Sequence, residues 1–137
     1  MFERIVMAID GSEPAKKAIP VAVDLAKKSG GEIFVIHVHQ KELTSRETTD
    51  VETLEEARML ARAAADLVQK SGVKASAEVR PARFDDAARE ILAAAGEHDA
   101  DAIVLGALGH GYFSELLLGS VAQKVLKLAK CTVVIAR

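Results

Sequence analysis

Gly106-Ala107-Leu108-Gly109-His110-Gly111-Tyr112-Phe113-Ser114-Glu115-Leu116-Leu117-Leu118-Gly119-Ser120 is the stretch from which the fold can be read. The apolar run Ala102-Ile103-Val104-Leu105 ahead of it reads as a buried strand, and Val121-Ala122-Gln123-Lys124-Val125-Leu126 behind it as a helix. The glycines therefore fall in a strand-to-helix connection, where a parallel sheet offers backbone N–H groups and a helix N-terminus to an anion. Their spacing is Gly, two residues, Gly, nine residues, then Gly-Ser. That is neither the phosphate loop that ends in Gly-Lys-Ser/Thr nor the dinucleotide pattern Gly-x-Gly-x-x-Gly.

Outward from this stretch the same alternation repeats. Near the N-terminus, residues 4–9 form a short apolar strand closed by Asp10-Gly11-Ser12. Ser12 suits a helix N-cap and Pro14 a first turn. Ala15, Ala18, Ile19, Ala22, Val23 and Ala26 follow a helical stripe that predicts one helix, with Pro20 off the stripe and Ser29-Gly30-Gly31 as its stop. Residues 32–38 read as a second buried strand, and 39–50 as a polar loop without periodicity. Leu54, Ala57, Ala61, Ala64, Ala65 and Val68 mark a long amphipathic helix ending at Ser71-Gly72, and residues 74–80 alternate as an edge strand does. Phe84, Ala87, Ala88, Ile91, Leu92 and Ala95 form the next stripe, with Asp85 and Asp86 suited to its positive end. A last helix runs on Leu118, Val121, Ala122, Val125, Leu126 and Ala129, and residues 132–136 make the last strand. Such alternation predicts an α/β domain, a doubly wound parallel sheet with right-handed crossovers and helices on both faces.

At 137 residues the chain is expected to be one domain, 1–137, with a substantial core. Half of it is apolar, 28% is charged, and the net charge is −2. That balance gives no electrostatic footprint for nucleic acid or an anionic membrane surface. Aromatic residues are scarce, so stacking platforms for single strands are not expected. No apolar run approaches the roughly 20 residues of a spanning helix, and a strand begins too early for a signal peptide. The single Cys131 excludes an intrachain disulfide and fits a reducing cytoplasm.

The Gly-x2-Gly-x9-Gly-Ser spacing resembles the ATP-binding branch of the universal stress protein family, and the likeness runs along the whole chain. The resemblance implies a flavodoxin-like or Rossmann-like five-stranded sheet of order 3-2-1-4-5. In that order strands one and four are neighbours whose crossovers leave to opposite faces, the switch point where open α/β sheets bind ligands. It further implies an adenine nucleotide, ATP, with Mg²⁺. Gly106, Gly109, Gly119, the Ser120 hydroxyl and the Val121 N–H would meet phosphates and ribose. Ala8 would line the site, the Val38 backbone would meet adenine, and Leu105 would pack on it. Two positions depart from the family pattern: Ala107 stands where Ser or Thr is frequent, and Leu108 where a basic residue or His is. The resemblance also implies a homodimer through residues 132–136, the last strand pairing antiparallel with its copy, and a role as a binding or signalling module in stress.

Several side chains carry two readings each. Asp10 is either a turn residue before Gly11 or a carboxylate near the ribose or a Mg²⁺ on the phosphates. The resemblance favours the second. His37 and His39 lie two apart in a strand and share a face, but no third ligand is evident, so a metal site is not expected. His110 lies inside the glycine stretch and is either a phosphate contact or an exposed side chain. Cys131 reads as a small core residue, and Lys124, Lys127 and Lys130 as a solvated helix face. Ser114 and Ser120 lack the Gly-x-Ser-x-Gly elbow of a hydrolase. Between Gly106 and Ser120 no lysine or arginine reaches for a γ-phosphate, so ATP turnover is expected to be slow or absent. The alternatives are a slow ATP hydrolase or nucleotide-transferring enzyme, a structural dimer without nucleotide, and a flavin carrier on the same fold.

Overall fold

The computed structural model describes residues 1–41, 52–83, 86–107 and 118–137. In chain order the elements are β1 (Arg4–Ile9), α1 (Glu13–Lys16), α2 (Ala18–Ser29), β2 (Glu32–Lys41), α3 (Leu54–Lys70), β3 (Lys74–Arg83), α4 (Ala87–Glu97), β4 (Ala102–Gly106), α5 (Ser120–Leu128) and β5 (Thr132–Ala136). The five strands form one sheet of order β3-β2-β1-β4-β5, and every pairing is parallel. The doubly wound α/β fold and its 3-2-1-4-5 order are as expected.

Alternation along the central strands divides the core in two. Ile5, Met7 and Ile9 of β1 pack with Ile33 and Val35 of β2 against the apolar stripes of α2 and α3. Val6 and Ala8 pack with Phe34, Ile36, Ile103 and Leu105 against α4 and α5. β1, buried on both faces, therefore has no polar alternation to show.

Three expectations are corrected. The first helix is two helices, separated at Lys17. Lys17 keeps helical dihedrals, but Pro20 has no N–H to give the Lys16 carbonyl, so the hydrogen-bonded turns part there and α2 begins at Ala18 with Pro20 in its first turn. Second, β2 continues to Lys41, so residues 39–41 belong to the strand and not to a loop. Third, β3 extends to Arg83 alongside it, with His39 opposite Pro81 and Lys41 opposite Arg83. A proline is tolerated there because β3 is an edge strand.

The helix ends follow local chemistry. Gly30 closes α2 at φ +65, the left-handed conformation that glycine adopts without strain. Thr53 caps α3, its hydroxyl accepting from Glu56 N–H at 3.1 Å. Gly31 is needed for a close approach: a Cβ there would lie 2.3 Å from the Phe2 carbonyl oxygen. Phe84 and Asp85 lie outside the described residues.

Candidate functional site at the carboxyl ends of the central strands

β1 and β4 pair from Ile5 opposite Ala102 to Met7 opposite Val104. β1 then runs on to Ile9 and β4 to Gly106 outside that pairing, so the strands part over their last residues. In a sheet of this order the switch point lies between β1 and β4, whose ends lead to Asp10 and Gly106.

The glycine stretch is closed at its neck. Gly119 N–H donates to the Ala107 carbonyl at 2.8 Å, and Ala107 N–H donates to Ala136 at 2.9 Å. The start of α5 is thereby tied beside the end of β4. Gly119 is the N-cap of α5 in extended conformation, and as a glycine it brings no side-chain acceptor to the first-turn N–H groups. Its carbonyl takes the first helical bond, from Gln123 N–H at 3.0 Å. The Gln123 amide donates to the Leu118 carbonyl at 2.7 Å. Ser120 is exposed and Val121 half-buried, next along the helix from the buried Gly119. A helix N-terminus whose cap residue has no side chain, with its positive dipole end, suits an anion. Gly109, Leu108 and His110 lie outside the described residues.

The expected purine walls come together on one side of the sheet. Ala8 and Leu105 are buried in the α4–α5 half of the core, and Val38 packs against the same cluster. Asp10 takes the turn role: its Oδ1 accepts from Ser12 N–H at 2.9 Å and from the Ser12 hydroxyl at 2.5 Å. The Ser12 oxygen in turn accepts from Ala15 N–H at 3.2 Å and so caps α1. The carboxylate thus fixes the turn that borders the switch point.

His37 and His39 do share a face, with both imidazoles buried. They meet Glu52, which sequence reasoning did not connect with them. His37 Nε2 lies 2.6 Å and His39 Nδ1 3.2 Å from the same Glu52 Oε1. Among the described residues no group of three His, Cys, Asp or Glu side chains is arranged to hold a metal ion.

A second unexpected cluster binds β3 to α4. The Arg80 guanidinium, its side chain 14% exposed, meets Glu78 at 2.6 Å, Glu97 at 2.8 Å and Glu90 at 2.9 Å. Hydrogen bonding to Glu97 leads the effects that push the Arg80 pKa further above its ordinary value, against the opposing effect of burial. The same bond holds the Glu97 carboxyl below its usual range. Beside it, His98 stacks on Phe34 with ring centres 4.1 Å apart, and Arg4 lies over the Phe34 ring. Cys131 is half-buried, and burial pushes its thiol up. Lys124, Lys127 and Lys130 are exposed. A recess of about 430 Å³ lined by Glu55, Arg58, Met59, Arg62 and Val79 lies between α3 and β3, among none of the expected site residues.

The signature of the universal stress protein family matches residues 1–137. The chain belongs to the universal stress protein family. Universal stress protein YxiE of Bacillus subtilis is 31% identical to it, the alignment spanning all of both chains. The solved universal stress protein UspA from Lactobacillus plantarum has its fold, with a TM-score of 0.80 at 21% identity, covering 99% of this chain and 98% of that one. The universal stress protein from Archaeoglobus fulgidus in complex with dAMP has a TM-score of 0.72 at 26% identity, covering 98% and 97%. No helix among the described residues is long and apolar enough to cross a membrane.

Proposed function

We propose that this universal stress protein binds an adenine nucleotide, ATP with its Mg²⁺, in the crevice between β1 and β4. The observation that carries the reading is the neck of the glycine stretch. The Gly119–Ala107 bond sets a helix N-terminus that lacks a side-chain cap beside parted strand ends. The phosphates take the first N–H groups of α5, the Ser120 hydroxyl and the backbone of Gly106 and Gly109. Adenine packs on Ala8 and Leu105 and meets the backbone of Val38. Asp10 holds the turn at the ribose edge, and the Mg²⁺ travels with the phosphates. The dAMP complex of the Archaeoglobus relative supports the choice of base.

The donors in this reading are neutral, so they hold phosphates without supplying the charge that fast phosphoryl transfer needs. The protein is therefore a sensor of nucleotide occupancy in the cytoplasm, read by a protein partner. It works as a homodimer through β5: Val133, Val134 and Ile135 are only half-buried on this edge strand, which carries no charged residue. The test is acid release and mass identification of the ligand that copurifies, followed by phosphate release under saturating Mg-ATP. An adenine nucleotide with negligible turnover is expected. Turnover near one per second, in the ordinary enzyme range, would make the enzyme reading the better one.

A further inference from the structure

The two buried histidines impose a proton count. His37 Nδ1 lies 2.9 Å from the Ile9 carbonyl oxygen. A carbonyl only accepts, so Nδ1 carries the hydrogen of that bond. His37 Nε2 lies 2.6 Å from Glu52 Oε1. A neutral His37 with its hydrogen on Nδ1 would aim a bare lone pair at an ionised carboxylate oxygen. Two acceptors do not rest at that distance with nothing between them. A proton in the gap, bonded to either heavy atom, would satisfy both. A zinc ion in its place, about 2.0–2.2 Å from each ligand, would need them more than about 3 Å apart. His39 Nδ1, 3.2 Å from the same oxygen, can donate to it as well. Both rings are shielded from water, at 3% and 5% exposure, so water does not replace a lost bond.

The cluster joins three elements. His37 and His39 flank Val38 on β2, Ile9 ends β1 next to Asp10, and Glu52 immediately precedes the Thr53 cap of α3. We propose that His37, Glu52 and His39 form a one-proton clasp that positions Val38 and Asp10, so that adenine-nucleotide affinity is greatest while the proton is in place. This rests on the adenine-nucleotide reading above. His37 and Glu52 are positioning residues, since neither is assigned a contact with the nucleotide. Loss of the proton leaves His37 one hydrogen for two bonds, so β2 is released either from the Ile9 carbonyl at the end of β1 or from Glu52 at the start of α3. Among the described residues, the other charged groups on the elements that meet here are Asp10 after β1, Glu55, Glu56 and Arg58 at the start of α3, and Arg83 at the end of β3. β3 sets only Val79 and Pro81 alongside the two histidines.

The experiment pairs ¹⁵N NMR of histidine-labelled protein with ATP titration calorimetry from about pH 6 to about pH 9, a span that brackets the ordinary histidine range. At neutral pH His37 should show hydrogen on Nδ1 and a shared proton at Nε2. Wild-type affinity should fall by about tenfold across the range, the scale of one lost hydrogen bond. Glu52→Gln supplies an amide N–H to a neutral Nε2 and replaces the proton. It should keep the tight affinity and depend on pH only through the titration of ATP itself. Glu52→Ala should bind weakly throughout. A bare Nε2 at neutral pH, or Glu52→Gln as weak as Glu52→Ala, overturns the clasp. A wild type that binds no ATP at any pH overturns the nucleotide reading and the positioning role together. The NMR signature separates that failure from a failure of the clasp.

Discussion

Substituting Gly119 by valine tests the phosphate site with the least disturbance to the fold. Gly119 sits at φ −62 and ψ 158, an extended conformation that valine adopts readily. Its N–H and carbonyl bonds, to Ala107 and Gln123, survive the change. The added side chain must fit at a buried cap, which costs about 1–3 kcal/mol of overpacking. A ligand that binds only the native state at 100 times its Kd stabilises it by about 2.7 kcal/mol. Unfolding entropy is about 2.1 cal/mol/K per residue, or about 0.29 kcal/mol/K for this chain. Saturating Mg-ATP should therefore raise the wild-type Tm by about 9 °C. In Gly119→Val the unliganded Tm falls by about 3–10 °C while the nucleotide increment vanishes. Ser120→Ala deletes one neutral donor worth about 0.5–1.5 kcal/mol and should trim the increment by about 2–5 °C. Thermal melts with and without Mg-ATP read each increment separately from the cost to the fold. A valine variant that keeps the full wild-type shift would refute phosphate binding at the start of α5.

Val134→Pro removes an N–H from the β5 edge, and light scattering should find monomer or aggregate where the wild type is a dimer; a wild-type monomer at high micromolar concentration refutes the interface. Arg80→Leu leaves Glu78, Glu90 and Glu97 without their shared cation and should cost about 2–3 kcal/mol in denaturant melts, below the full cost of a deeply buried pair because the glutamates are partly exposed. Because Arg80 depresses the Glu97 carboxyl, its contribution is present above the ordinary carboxylate range and is lost as pH falls through the depressed value, so the variant should show a shallower acid-side loss. Gly31→Ala drives a Cβ to 2.3 Å from the Phe2 carbonyl oxygen and 2.9 Å from Glu3 backbone atoms, and should lower stability by about 1–3 kcal/mol; an unchanged denaturation midpoint would show that the N-terminal residues yield freely.

Where a segment's fate is settled by its own residues, the sequence is a sufficient guide. β1 and β5 begin and end where their apolar runs do, and α3 stops at the Ser71-Gly72 pair. The strand ends that needed correction depend on partners distant in the chain. Hydropathy ends β2 at Val38, because His39, Gln40 and Lys41 are polar. The strand goes on because β3 offers backbone partners as far as Arg83, and a ladder bond does not depend on the polarity of the side chain beside it. Pro20 looked like a defect inside one long helix. It is itself the interruption: Lys17 keeps helical dihedrals, but Pro20 has no N–H to give the Lys16 carbonyl, so the helix divides there and Pro20 falls in the first turn of α2.

The candidate site divides along the same line. The strand before the glycine stretch and the helix after it were legible because each is written in its own residues, whereas the bond from Gly119 to Ala107 that ties them together was not. The switch point beside them was placed through the family's strand order, which no periodicity contains. Asp10 shows how a residue type alone leaves the role open. Both readings require a carboxylate after β1, and only the two bonds from Ser12 show that it builds the turn. Glu52 gave no signal at all: it lies 15 positions from His37, across a polar stretch, and only the packing of α3 against β2 brings them together. Such a contact carries information about function because it is not forced by the fold. The sheet needs an apolar residue at position 37 as much as at 33 or 35, and a buried imidazole there is tolerable only if each ring nitrogen finds a partner. Ile9 and Glu52 are those partners, and one of them lies beside Asp10 at the site's edge.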